Sequence, residues 1–361
     1  MRKQVYAHIV TYNPTNDISL CLESVLAQQD SSIQVTLTLR DNASQVAIPF
    51  DELKKSFADR LRIVRNAHNL GFSGAHNQGV SEFLESSADY FLVLNSDLKL
   101  GPGCLKALID TAERVGAEFA TPLLLRCNEK LEPIEPAVVD AAGMVLRKSI
   151  RHFDRGSGSP LLPEFEIPAF VFGGTGACLL ISRKGVLDCL LHLEAWKQDL
   201  YACYPVLGFN TGSRAELFDE AFFAYREDAD LAWRAQALGC RCVFVPQARA
   251  FHRRCVLPEN RSQQQAFLNL LGVKNRFLLQ FNNFFPELGW GAILSGVLLR
   301  NLIVLLGVFV LERSSIPGLF EAWKLRRRAW ALRTQVRKKS LASASQRSIS
   351  RWLTQDSEPL Q

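Results

Sequence analysis

Residues 90–100 read YFLVLNSDLKL, an apolar run from Tyr90 to Leu94 that breaks into Asn95, Ser96 and Asp97. So short and so apolar a run marks a strand buried on both faces. The small polar residues mark where it leaves the core. In an open α/β sheet, ligands gather at the carboxyl ends of the strands. An Asp held there suits a divalent cation that grips a diphosphate. Alone, the triplet reads equally well as a turn, which these residues favour.

The flanking sequence places this strand in a series. Residues 4–12 form a first strand stopped by Asn13-Pro14, and Thr15–Gln28 has helical spacing at Ile18, Leu22, Val25 and Leu26, with Thr15 or Asn16 as cap. Ile33–Leu39 is a second strand closing on Asp41, Asn42 and Ser44; a weak helix over 51–58 leads to a strand at Leu61–Val64. NLGFSGAHNQGV, residues 69–80, is a glycine-bearing loop opening a helix that reaches about Ser87. A helix over Pro102–Val115 and a strand over 118–125 follow, and the alternation predicts a doubly wound sheet. From Arg126 to Pro168, Pro and Gly accumulate and loops with a hairpin are expected. FVFGGTGACLLIS (Phe170–Ser182) returns to strand character, Glu227–Leu238 reads as a helix stopped by Gly239, and Cys240–Val245 as a last strand.

Composition supports a folded chain: 361 residues, 48% hydrophobic and 22% charged. The net charge of +6 is unevenly spread, since Arg313–Arg351 carries 11 Lys or Arg against Glu321 alone, leaving the remainder at −4. The basic character therefore belongs to the tail. Nine cysteines lack metal-type spacing and fit a reduced, cytosolic protein. MRKQVYAHIVTYNP reads as a first strand rather than a signal peptide.

Four strand ends carry chemistry. Asp41 suits a base or ribose hydroxyl, or a turn. Gly71 and Gly74 would let the backbone approach a phosphate, or simply make a tight loop. His68 and His76 read as surface or hydrogen-bonded histidines rather than ligands. Glu227, Asp228 and Asp230 occupy a first helical turn, where the dipole favours acids. They follow Phe222-Phe223-Ala224-Tyr225, and one carboxylate so held would make a general base. Residues two apart face different sides of a helix, so Asp228 and Asp230 cannot share one role. His252 could complete a metal shell with Asp97, with Arg253 and Arg254 neutralising phosphate, or all three form a basic loop.

Taken in order, VTYNP, Asp41-Asn42-Ala43-Ser44, Asn69-Leu70-Gly71-Phe72, LNSDL, GGTGACLLISR, FDEAFFAYREDADLAWR and His252 resemble an inverting glycosyltransferase of family 2 with the GT-A fold. The resemblance covers about the first 255 residues and is strongest to rhamnosyltransferase-like members that extend surface polysaccharides. It implies a GT-A catalytic domain over 1–258; beyond it, the composition leads to the expectation of a helical membrane-associating region over 259–340 and a disordered tail over 341–361. It implies that Thr11, Asp41, Asn42, Gly71, Gly74, Asn95 and Ser96 bind the nucleotide-sugar. Asp97 and His252 would hold Mg²⁺ or Mn²⁺, Asp228 would be the base with Glu227 orienting the acceptor, and Gly174 and Trp233 would touch the acceptor. Asn95 departs from the usual acidic first position, and residues 188–215 look longer than the family's usual link.

Trp290–Leu311 is strongly apolar around Arg300-Asn301. A central Arg costs about 2.5–3.5 kcal/mol on insertion scales, so two short helices or one interfacial helix are expected rather than a span. The basic clusters at Lys324–Arg328 and Arg337–Lys339 suit an anionic cytoplasmic leaflet, with Trp290, Trp323 and Trp330 at headgroup depth. A buried helix with a solvated basic face is the plainer alternative, and no nucleic-acid motif is present. The expectation is an enzyme moving a sugar, dTDP-rhamnose being one donor, to a lipid-linked glycan at the cytoplasmic face of the plasma membrane. A non-catalytic nucleotide-sugar or glycan-binding subunit is the alternative. A nucleotidyltransferase lacks its glycine-rich phosphate loop.

Overall fold

A computed structural model of the chain describes residues 2–14, 18–209, 215–254, 266–284, 289–342 and 347–360. The proposed caps Thr15 and Asn16 lie outside them. Strand β1 (Lys3–Thr11), helix α1 (Ile18–Leu26), β2 (Ile33–Asp41), α2 (Phe50–Phe57), β3 (Leu61–Arg65), α3 (Gly71–Glu85) and β4 (Tyr90–Asn95) follow in order. Next come β5 (Leu98–Leu100), α4 (Cys104–Val115), β6 (Phe119–Arg126), β7 (Val139–Ala141) and the hairpin β8 (Met144–Arg147) and β9 (Arg151–Asp154). The order continues with β10 (Ala169–Val171), β11 (Cys178–Ser182), α5 (Arg183–Cys189), α6 (Lys197–Cys203), α7 (Pro205–Gly208), α8 (Glu227–Ala237) and β12 (Cys242–His252).

The sheet has 11 strands, with the path β10-β12-β6-β11-β4-β1-β2-β3; β5 pairs β12 and β7 pairs β6. Strands β1 to β4 run parallel. The antiparallel β11 lies between β4 and β6, so the sheet is mixed. All five residues from Tyr90 to Leu94 are buried, as the all-apolar run required. Helices α1, α2 and α4 cover one face through Leu22, Phe57 and Leu108. Helices α3, α5 and α8 cover the other through Phe83, Val186 and Leu231.

Phe170–Ser182 differs from the single strand expected: it splits into β10, paired with β12, and β11, three strands further along the path. The intervening glycines make room for α8. A Cβ on Gly173 would come within 2.3 Å of the Ala232 Cβ.

The C-terminal region is a helical layer: α9 (Ala266–Asn283), α10 (Trp290–Ala292), a π-helical stretch (Ile293–Leu299), α11 (Arg300–Val310), α12 (Ile316–Ala342) and α13 (Arg347–Arg351). Leu271, Leu278 and Leu279 of α9 and Leu325, Ala329 and Leu332 of α12 bury α8's second side. No single described helix is long and apolar enough to cross a membrane; Gly296–Val310 and Arg313–Ser340 form a pair bent by 112°. On α11, Leu302, Ile303, Leu306, Phe309 and Val310 are exposed, as are Trp290, Trp323 and Trp330. Within the expected basic cluster, Arg328 is an exception. It is fully buried, its Nη2 bonding Glu216 at 2.6 Å and Asp219 at 3.0 Å.

The expected disordered tail is also corrected over 347–360. Trp352 is buried and donates from Nε1 to Gln236 Oε1 at 2.9 Å. Strand β13 (Glu358–Pro359) pairs antiparallel with β10. An indole that fills a gap beside α8 offsets the entropy of ordering these residues.

Candidate active site

The carboxyl ends of β4 and β12 bring Asp97 and His252 together. His252 Nε2 stands 3.4 Å from Asp97 Oδ1 and 3.5 Å from Asn95 Nδ2, while Nδ1 faces Asp140 Oδ2 at 2.7 Å. Antiparallel pairing of β5 with β12 sets this meeting, with Leu98 opposite His252. Burial opposes a charge on His252, but hydrogen bonds to Asp140 and Asp97 outweigh it and raise its pKa to about 9.

Asp140 was missed in the sequence reading. It is buried on β7 inside the apolar run VVDAA, and an acid in so short a buried strand is the signal that was available. Arg254 Nε lies 3.4 Å from Asp140 Oδ1, and Arg254 also bonds Asp154. The Arg254 guanidinium is thus committed to carboxylates rather than open for phosphate, and Arg253 pairs with Glu129 at 2.8 Å.

Asp228 sits partly exposed on the first turn of α8. Its Oδ2 accepts from the Gly176 amide at 3.0 Å and its Oδ1 from the Ala229 amide at 2.7 Å. Burial raises its pKa against those bonds, with help from the Asp154 charge. Glu227 is buried, and its Oε2 has no hydrogen-bond partner among the described residues. Burial and the Asp228 charge push its pKa well above the ordinary range. Asp230 turns the other way, to Arg234 Nη1 at 2.9 Å and to Asn282 and Asn283 of α9. Asp228 and Asp230 thus face different partners.

The loop entering α8 is held from behind. Phe223, Tyr225 and Arg226 all have positive φ, at 66°, 69° and 71°. Asn275 Nδ2 donates to the carbonyls of Phe222 at 3.1 Å, Ala224 at 2.7 Å and Tyr225 at 2.7 Å. Lys274, buried beside it, bonds the Tyr204 hydroxyl and the carbonyls of Ala221 at 2.6 Å and Phe222 at 3.2 Å. Burial lowers the Lys274 pKa to about 7.

Other expected site residues are occupied by the protein itself. Asp41 is fully buried, accepting from the Ser44 amide at 3.0 Å and from Arg65 Nε at 3.3 Å. Asn42 ties the loop over 66–71 through Leu70, Asn66, Asn69 and Gly71. Gly71 opens α3 at φ +70°, and a Cβ there would lie 2.3 Å from the Phe223 carbonyl oxygen. Gly74 packs on Leu70 and Leu207. Both glycines face protein rather than an open phosphate site. Thr11 is buried with no hydroxyl partner among the described residues, and Ser96 is partly exposed between Asn95 and Asp97.

Gly174 packs on Leu179 and Thr121, and Trp233 is 1% exposed, edge-on to Phe172 with centroids 5.6 Å apart. Both are buried, Trp233 because α8 is packed on both sides. His76 is also core, its Nδ1 3.0 Å from His8 Nδ1, while His68 is exposed.

Among the described residues no cluster of three or more His, Cys, Asp or Glu side chains is arranged to cage a metal ion. Asp97 and His252 nevertheless fit a divalent cation: two donors converge, and the far imidazole nitrogen is held by a carboxylate, the usual support for a metal-binding histidine. A two-donor site of this kind is completed by water and substrate phosphates.

A family model described as glycosyl transferase family 2 matches residues 6–167, from β1 past the β8–β9 hairpin. The N-acetylglucosaminyl-diphospho-decaprenol L-rhamnosyltransferase of Mycobacterium tuberculosis is 25% identical over 263 residues, covering 68% of this chain and 74% of the relative. Rhamnosyltransferase WbbL of Escherichia coli is 23% identical over 254 residues, covering 69% and 83%. Among solved structures, GalNAc-T7 with UDP, GalNAc and Mn²⁺ superposes with a TM-score of 0.55 at 14% identity. That match takes in 78% of this chain and 48% of the other, and shows a shared fold.

Proposed function

We propose that this chain, whose residues 6–167 match the glycosyl transferase family 2 model and whose mixed sheet is of GT-A type, performs an inverting transfer of L-rhamnose from a nucleoside-diphosphate donor to a lipid-linked glycan. The observation that carries this reading is Asp228. It stands partly exposed on the first turn of α8 with a raised pKa, and Arg254 links Asp154 and Asp140 to the Asp97–His252 pair. A carboxylate more basic than usual is a better general base for a hydroxyl. Two backbone amides keep it from turning away.

In this mechanism Asp228 removes the acceptor hydroxyl's proton as its oxygen approaches the sugar's anomeric carbon, and a single displacement inverts that centre. Burial, then the charge of Asp228 beside it, holds the buried Glu227 carboxyl well above the ordinary carboxylate range. Asp97 and His252 would hold Mg²⁺ or Mn²⁺, which when bound neutralises charge on the departing diphosphate. Asp140 orients the His252 ring, and Arg254 balances Asp140 and Asp154. The relatives' names support rhamnose and a polyprenyl-diphosphate-linked acceptor.

We place the enzyme at the periphery of an anionic membrane, on its cytoplasmic face. The exposed leucine face of α11, beside Trp290, Trp323 and the exposed Lys324, Arg327 and Arg337, supports this. The test is transfer from dTDP-rhamnose to a polyprenyl-diphosphate-linked N-acetylglucosamine. Wild type is expected to transfer and Asp228→Asn to bind donor without turnover. Undiminished turnover in the variant removes Asp228 as base.

A further inference from the structure

Beside the first turn of α8 the chain buries arginine without acid. Arg276 of α9 is 6% exposed, yet among the described residues its Nη2 meets neutral acceptors, the Gly296 carbonyl at 3.4 Å and Asn301 Oδ1 at 3.0 Å. Its Nε is buried with no partner among the described residues, as are Arg300 Nε on α11 and His152 Nδ1 on β9. Neither Arg276 nor Arg300 pairs with a carboxylate among the described residues. Burial first, then the charges of Arg300 and Arg151, pull the Arg276 pKa down to about 10. Burial and the charges of Arg226 and Arg151 likewise lower His152 to about 3. Cations gathered out of water with no counter-charge are costly. Guanidinium forks suit phosphate oxygens.

The surroundings give this cluster a direction. β9 runs from Arg151, beside Arg276, to Asp154, whose charge acts on Asp228. Arg226 precedes α8 directly, and Asn275, next to Arg276, binds the Tyr225 carbonyl. On the opposite side, Gly296 abuts the β8–β9 turn, where a Cβ would lie 2.8 Å from the Ser149 carbonyl carbon. Beyond it, exposed Leu294, Leu298, Leu299 and Leu302 line an apolar depression. Base, arginines and leucines thus follow one another across the surface.

We propose that Arg276 and Arg300, with Arg151 and Arg226 flanking them, bind the phosphates of a lipid-diphosphate acceptor, its sugar toward Asp228 and its hydrocarbon on the leucine face. This rests on the acceptor reading above. The same arginines would also attract an anionic lipid headgroup, so the test separates the two sources.

Calorimetry on the full chain, with chelator present to silence the Asp97–His252 site, would use farnesyl diphosphate, farnesol and inorganic diphosphate. Farnesyl diphosphate is expected to bind more tightly than either fragment. Arg276→Gln and Arg300→Gln should each weaken it about ten- to hundredfold, the loss of a charge-assisted bond, while Arg276→Lys retains part of the affinity. Ligand-free thermal midpoints should be unchanged or higher, because an uncompensated cation is removed. Equal binding in wild type and both Gln variants overturns the site. So does loss of binding only to phosphatidylglycerol vesicles, which would make it a headgroup site. If wild type binds no nucleoside diphosphate with Mg²⁺ yet binds farnesyl diphosphate through these arginines, the transferase reading falls and the anion site stands. If nucleotide binding and transfer are intact but the variants bind farnesyl diphosphate normally, this site alone falls.

Discussion

Asn275 offers the sharpest test of how the base is held. Its amide is fully buried and faces three carbonyls of the loop that enters α8. An NH₂ has two hydrogens, so two full bonds are shared among three acceptors. Each net bond contributes roughly 1 kcal/mol, and each buried carbonyl left unpaired costs about 1–3 kcal/mol. The loop also carries three non-glycine residues at positive φ, a conformation that costs on the order of 1 kcal/mol or more apiece. Asn275→Ala should therefore lower global stability by about 2–4 kcal/mol. It should also let the loop relax, shifting Asp228 by a fraction of an ångström.

Misplacement of about 1 Å can cost on the order of a hundredfold in rate. The expected signature is a kcat reduced about 10- to 100-fold with the donor KM little changed, because Asp97 and His252 stand on other elements. Asn275→Asp, nearly isosteric, sets a carboxylate against three carbonyls and should be worse than Ala on both counts. Steady-state kinetics beside urea denaturation would separate the effects. A variant destabilised as calculated but with kcat within about twofold of wild type would show that α9 supports the fold without positioning the base.

Other outcomes follow from the same structure. Glu227 has a folded pKa well above its unfolded value, so its contribution to stability is present below pH 4.5 and lost as pH rises through the folded pKa; Glu227→Gln should gain on wild type in thermal midpoint between pH 5 and 8. Equal midpoints across that range would place the carboxylate elsewhere than in this buried site. Asp140→Asn should weaken Mn²⁺-dependent nucleotide binding about 10- to 100-fold by releasing His252, read by titrating Mn²⁺ against a fixed nucleoside diphosphate. Arg328→Met leaves Glu216 and Asp219 buried without their cation and should cost about 3–5 kcal/mol in chemical denaturation. Leu298→Glu with Leu302→Glu should abolish sedimentation with anionic vesicles while leaving the thermal midpoint unchanged, since both side chains are exposed.

Much of the sheet was legible because its signals are local. The buried run at Tyr90–Leu94 and the acids opening α8 each declare themselves within a dozen residues, as does the last strand, although it runs on to His252 rather than stopping at Val245, and their order carried the family resemblance. The glycine cluster misled, since GGTG reads as strand punctuation until α8 is packed against it. Trp233 misled for the same reason: an aromatic on a helix beside the base looks available until α9 and α12 cover it. Asp140 lay unmarked in a short apolar strand, and nothing singled out Lys274, Asn275 and Arg276 within the helical region expected over 259–340.

By itself, then, the sequence determined most strands and helices from β1 to β6, the acids that stand at strand and helix ends, and that the tail is apolar and then basic. These properties depend on neighbours along the chain. Only the tertiary structure decided that the helical layer packs behind the loop entering α8, that Asp41 and both early glycines are held by protein, and that Arg276 is buried and Arg300 half-buried with no carboxylate partner among the described residues. Those facts depend on contacts between residues up to 209 positions apart, such as Arg147 with Asp356, or 112 apart, as with His252 and Asp140. No periodicity records such pairings, because burial and partnership are properties of the packed chain.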